Sequence, residues 1–94
     1  MKYRVALVVS SASGEDRAAL ARLDDELTKA LSPRHSVRDH DLGRGHLKID
    51  VHTDDPAAAF EAGKAVIPDK VLQHTSAFYS EIGSRVEHSL WPRP

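Results

Sequence analysis

Apolar and polar side chains alternate over the first ten residues of the chain. The large apolar side chains occupy the odd positions, which are Tyr3, Val5, Leu7 and Val9. This period of two, rich in β-branched residues, predicts a strand from Met1 to Ser10 with its odd side chains facing a core. Because Ala6 and Val8 make the middle of the even face apolar as well, we expect an interior strand of the sheet.

The apolar period then changes from two to about 3.6 residues, which predicts an amphipathic helix. Ser13 and Asp16 form an S-x-x-D capping signal at its start. Four leucines share one stripe of this helix: Leu20, Leu23, Leu27 and Leu31. Pro33 ends the helix, because proline disfavours helical geometry in the residue before it.

A period of two returns between Arg34 and His52 and is interrupted by the glycine-containing stretch from Leu42 to Gly45, which predicts a hairpin. The second arm has an apolar face of Leu47, Ile49 and Val51 and an opposite face of His46, Lys48, Asp50 and His52. The first arm is mostly polar. We therefore place it at a sheet edge, where charged side chains discourage pairing with another edge.

Asp55 and Pro56 predict the start of a second helix, since aspartate is a good N-cap and proline suits the first helical position. The helix runs toward Ile67. Pro68 interrupts it, so residues 69–73 form a separate turn or a kinked extension.

The last part of the chain, from Thr75 to Trp91, contains two short extended segments on either side of Gly83 and Ser84, which predicts another hairpin. Pro92 and Pro94 stop the final strand because neither has an amide hydrogen to donate.

Composition narrows the class of protein. The chain has 94 residues, 13 basic and 14 acidic side chains, a formal charge of -1 and no cysteine. This length predicts one domain over residues 1–94. The absence of cysteine excludes disulfides and thiol catalysis, and the balanced charge argues against a nucleic-acid or membrane-surface partner. Without a signal-peptide pattern or a long apolar run, we expect a soluble, cytoplasmic protein.

The order of the predicted elements is strand, helix, strand, strand, helix, strand, with one extra C-terminal strand. In a chain this short, right-handed crossovers favour an α+β, ferredoxin-like βαββαβ sandwich with an antiparallel sheet and two helices on one face. The other face is then open to water, a ligand or a second subunit.

Three stretches of the chain carry a resemblance to known proteins. They are a His-Asp pair before a glycine-rich turn (His40–Gly45), a strand followed by Thr-Asp-Asp-Pro (Leu47–Phe60), and a closing segment that ends in Trp91-Pro92. Together they resemble a family of small uncharacterised bacterial proteins. The resemblance implies a shared fold and names no reaction.

Histidines and charged residues of the hairpin are the main candidates for a functional site. We expect the ligand or interface face to contain Arg38, His40, His46, Lys48, Asp50 and His52, together with Tyr79 and Trp91. Two histidines and an acid could bind a divalent metal. However, alternate residues of a strand stand about 7 Å apart and zinc ligands lie about 2 Å from the metal, so a solvated polar face is the favoured interpretation.

Other chemical readings depend on single residues. His40 and Asp41 could form an acid–base pair, but strand neighbours point to opposite faces unless a bulge intervenes.

The aromatic residues near the end of the chain differ in their expected placement. Phe78 is expected in the core, whereas Tyr79 and Trp91 suit either packing or an interface.

The sequence thus predicts a non-catalytic protein-interaction module that buries part of its open sheet face. The partner is a second copy of the chain or another protein, and an immunity-type binder is one version of this function. The alternative is a small enzyme or a metal- or small-ligand-binding domain that uses the His-rich face. Whether the protein is an enzyme stays open, and we assign no catalytic residue, metal ligand or cofactor.

Overall fold

The computed structural model describes residues 1–43 and 45–92. Its strands are β1 (Tyr3–Val9), β2 (Ser36–Leu42), β3 (Leu47–Thr53), β4 (Thr75–Glu81) and β5 (His88–Trp91). Its helices are α1 (Arg17–Leu31), α2 (Pro56–Lys64) and the short α3 (Asp69–Leu72). These elements follow the predicted order. Arg44 of the predicted turn, and Arg93 and Pro94 after the last strand, lie outside the described residues.

The start of α1 differs from the prediction. Asp16, not Ser13, is the N-cap, and its carboxylate accepts a hydrogen bond of 2.8 Å from the Ala19 amide. Residues Ser11–Ser13 instead form a 3-10 turn that ends at Gly14. Because Gly14 has a φ of 71°, in the left-handed region, the turn cannot continue into the helix.

The start of α2 agrees with the prediction. The Asp55 carboxylate accepts a hydrogen bond of 3.1 Å from the Ala58 amide, and Pro56 is the first helical residue. Residues Asp69–Leu72 form their own turn of helix beyond Pro68, as the proline predicted.

The five strands form one antiparallel sheet in the order β2-β3-β1-β4-β5. The connection through α1 joins β1 to β2 across β3, and the connection through α2 and α3 joins β3 to β4 across β1. The described chain is therefore an α+β fold with helices packed on an antiparallel sheet. None of these helices has the length and apolar character needed to cross a membrane.

The core lies between the sheet and the helices. Leu47, Ile49 and Val51 are completely buried there, as their alternation predicts. They contact the odd-numbered apolar residues of β1 and the leucine stripe of α1 within one continuous cluster. Since side chains alternate along a strand, the even positions of β1 and β3 face away from the helices.

Candidate interaction face

One face of the sheet carries no helix in the part of the chain that the structure describes, because α1, α2 and α3 all contribute to the core on the other side. We call this surface the open face. Its members on the three central strands are Arg4, Ala6, Val8, Lys48, Asp50, His52, Ser76, Phe78 and Ser80. The edge strands extend it with Ser36, Asp39, Asp41 and Ser89.

The strand register divides the open face into two chemically different parts. In β1, Ala6 lies directly between Asp50 of β3 and Phe78 of β4, and Val8 lies between Lys48 and Ser76. The β2–β3 side therefore carries most of the charged groups. The side formed by β1, β4 and β5 is apolar or carries serine hydroxyls, with Arg4 near its end.

Phe78 lies on the open face, and the expectation that it packs in the core is wrong. Its register partner on β1 is Ala6, and its partner on β5 is Ser89. Its neighbours on the same face of β4 are Ser76 and Ser80. The ring is half-buried among side chains much smaller than itself, so it is the largest apolar group at the centre of this face.

Arg4 and Asp50 form an incomplete ion pair on the open face. The distance from Arg4 Nε to Asp50 Oδ1 is 3.8 Å, too long for a hydrogen bond. Asp50 Oδ1 is buried and has no hydrogen-bond partner among the described residues. Asp39 lies directly opposite Asp50 in the register and adds a second negative charge. A buried acceptor without a donor is destabilising, so this pair favours an additional donor.

His40 does not lie on the open face, and its predicted placement beside His46 and His52 is wrong. It is the register partner of Ile49, a core residue, and its Nδ1 lies 2.6 Å from Asp24 Oδ1 on α1. The cause is an irregularity of β2 between Val37 and Asp39. One extra residue there reverses the alternation of the strand.

Arg38 occupies this irregularity of β2, where its side chain is exposed. After it, Asp39 and Asp41 take the open-face positions that simple alternation had given to Arg38 and His40. The predicted His40–Asp41 pair is therefore split between the two faces of the sheet.

The remaining hairpin residues lie together. Lys48, Asp50 and His52 stand side by side on the open face of β3. His46 precedes β3, and its Nε2 lies 3.7 Å from Asp41 Oδ2. Its ring packs against Gly43 so closely that a Cβ at that position would overlap it. Gly43 is thus required for close approach rather than for a positive φ.

Trp91 belongs to the helix-covered side of the sheet, because it pairs with the core residue Ala77. Its ring stacks on Phe60 of α2 at a centroid distance of 5.7 Å. Its Nε1 donates a hydrogen bond of 3.3 Å to the Leu72 carbonyl, and Lys64 Nζ lies 4.6 Å from the ring centroid. Trp91 therefore holds β5 to α2 and α3.

Tyr79 also lies on the helix-covered side, opposite Val5. Its ring meets Tyr3 edge to face at 6.1 Å and stacks on His88 at 5.0 Å. The predicted placement of Tyr79 and Trp91 on the interface face is therefore wrong, and their aromatic area stabilises packing of the outer strands.

His35 is a structurally important residue that the sequence analysis did not single out. It is only 3% exposed, and its Nδ1 lies 2.7 Å from the Thr53 hydroxyl oxygen. Burial lowers the pKa of His35, and Arg34 lowers it further, whereas Asp55 acts in the opposite direction. The only sequence signal for the burial of His35 came from the apolar residues on either side of the hairpin. The pattern of a half-buried polar strand does not show which of its positions is covered.

Among the described residues, no group of three or more histidine and acidic side chains is arranged to hold a metal ion. No family model, curated protein or solved structure matches the chain. What the open face does must therefore be argued from its own geometry.

Proposed function

We propose that the chain is a non-catalytic protein-interaction module that forms a homodimer through its open face. The observation that carries this proposal is the position of Phe78, an aromatic ring on a helix-free sheet face among small side chains. In an isologous dimer the same surface supplies both the protruding group and the space that receives it. Here half-buried Phe78 is the central aromatic group, and the small side chains beside it, Ala6, Ser76 and Ser80, leave room for the same group of the second copy.

The chemistry of the open face supports an interface. Stable interfaces combine a desolvated apolar or aromatic centre with a polar rim. The centre here consists of Ala6, Val8 and Phe78, and the rim carries charges of both signs, including Lys48 and Asp50. Because the formal charge of the chain is only -1, two copies repel each other weakly.

We further propose that the fold is a ferredoxin-like sandwich with β5 added at one edge. The strand order and the two crossovers support this assignment. We retain a cytoplasmic location and kinship with small bacterial proteins as parts of this proposal. A different protein partner, such as a toxin bound by an immunity-type module, would use the same face.

Sedimentation equilibrium of the purified chain tests the proposal. We expect a reversible dimer in the wild type. We expect Phe78→Asp to raise its dissociation constant by about 100-fold or more, because truncating or charging a central aromatic anchor removes at least about 2 kcal/mol and adds a buried charge.

The matched control is Val86→Asp. Val86 is 61% exposed and lies in the connection between β4 and β5, outside the open face. This variant should dimerise as the wild type does. A monomeric wild type, or a Phe78→Asp variant that dimerises normally, would refute the proposal.

A further inference from the structure

The incomplete ion pair of the open face suggests how two copies are oriented. Asp50 Oδ1 is buried without a hydrogen bond, Arg4 Nε stays 3.8 Å away, and the Arg4 side chain is 42% exposed. Asp39 provides a further negative charge next to Asp50. What Asp50 lacks among the described residues is a hydrogen-bond donor, and Arg4, a cationic donor exposed on the same face, is one that a second copy would bring.

The register gives the relative positions of these residues. Neighbouring strands lie about 4.8 Å apart, and alternate residues of one strand lie about 7 Å apart. Arg4 is directly opposite His52, while Asp50 is directly opposite Ala6. Arg4 and Asp50 are therefore diagonal neighbours. Consider a two-fold axis that lies in the plane of the interface, passes through the midpoint of the line joining Arg4 and Asp50, and is perpendicular to that line. This axis places Arg4 of each copy over Asp50 of the other.

The same axis also accommodates the apolar centre. On this spacing it passes close to Ala6 and His52, so those residues face their own copies. Phe78 lies about as close to this axis as Ala6 does, so the two Phe78 rings meet side by side near it. The strands of the two sheets cross at a steep angle, close to the orthogonal class of sheet packing. One symmetry operation thus pairs the charges and brings the two aromatic rings into contact.

We infer that Arg4 of each copy pairs with Asp50 of the other across this two-fold axis, and that this exchanged pair specifies a second copy of the chain as the partner. The inference rests on the proposed homodimer and adds its orientation. A symmetric interface makes the contact twice, so each copy supplies the donor at one contact and the acceptor at the other.

A charge-swap mixing experiment tests this arrangement. Arg4→Glu and Asp50→Lys should each raise the homodimer dissociation constant by about 30-fold or more, because like charges then meet across the interface. An equimolar mixture of the two variants should form a heterodimer with an affinity close to that of the wild type. In that heterodimer Glu faces Lys at one contact, and the native Arg and Asp meet at the other. Native mass spectrometry distinguishes the three dimers by mass.

The matched control uses Lys48→Glu mixed with Asp41→Lys. These residues are also register partners on the open face, and the two variants carry the same net charges as the test pair. Because the axis does not exchange them, their mixture should show only the weak heterodimer preference that net charge causes. A wild-type dimer with no preferred Arg4→Glu/Asp50→Lys heterodimer contradicts the exchanged pair and leaves the proposed function intact. A monomeric wild type contradicts both.

If either single variant fails to fold, the double variant Arg4→Glu/Asp50→Lys provides a second test. It retains one charge of each sign within one chain. Mixed with the wild type, it places Glu opposite Asp and Lys opposite Arg. It should therefore form homodimers and exclude heterodimers, and free mixing with the wild type would overturn the inference.

Discussion

At the scale of single residues, the buried imidazole of His35 connects two segments that are distant in the sequence. Its backbone amide donates to the Leu31 carbonyl at the end of α1, and its ring meets Thr53 at the end of β3. The Thr53 hydroxyl oxygen also accepts a hydrogen bond of 3.0 Å from the Asp55 amide. A neutral His35 therefore supports the turn from which α2 begins.

This environment predicts that acid destabilises the fold. Because the folded pKa of His35 lies below its ordinary value, the unfolded chain binds the proton more readily. The contribution of His35 to the free energy of unfolding is fully present above about pH 6.5 and is lost as the pH falls toward the folded pKa. Urea unfolding at a series of pH values should show this decline.

A neutral substitution isolates the contribution of His35. We expect His35→Gln to flatten the dependence of stability on pH below about 6.5, at some cost in stability from altered packing. His74→Gln is the matched control, because His74 is exposed. If His35→Gln keeps the wild-type pH slope, then the buried imidazole is not the group that responds to acid.

At the scale of secondary-structure elements, β5 depends on its contact with the helices. Among the described strands it pairs with β4 alone. Its four residues include Trp91, which packs on Phe60 and donates a hydrogen bond to the Leu72 carbonyl. We expect Trp91→Ala to reduce the free energy of unfolding by about 2 kcal/mol, since the side chain is only partly buried. Chemical denaturation measures this loss.

The variant Trp91→Phe serves as the comparison for that prediction. It keeps an aromatic ring against Phe60 and removes the indole donor to Leu72. Its loss should be smaller than that of Trp91→Ala. Equal losses would mean that the hydrogen bond rather than the ring stacking holds β5.

The elements themselves were largely predictable, because each has a local chemical signal. The leucine stripe predicted α1, and Asp55 with Pro56 predicted the start of α2. The irregularity at Arg38 was not predictable, since no glycine or proline marks it. Its consequence is large, because one extra residue in β2 moves His40 to the helix side and Asp39 to the open face.

At the scale of the whole molecule, alternation in β1 and β3 is enough to predict a sheet with one covered and one open face. Buried Ile49 and outward Lys48 follow from that pattern alone. The faces on which the β4 side chains lie were harder to predict, because the adjacent residues Phe78 and Tyr79 are both aromatic. Only the register with β1 decides which of the two faces the core.

The claim that the open face is the dimer contact can be tested directly by NMR with a dissolved paramagnetic probe. At protein concentrations where the chain is dimeric, we predict that the Val8 methyl and Phe78 ring signals are protected from the probe, and that dilution to the monomer exposes them. The Val86 methyl signals, from an exposed side chain outside this face, should be attenuated at both concentrations. Equal attenuation of the Val8, Phe78 and Val86 signals at high concentration would contradict the account.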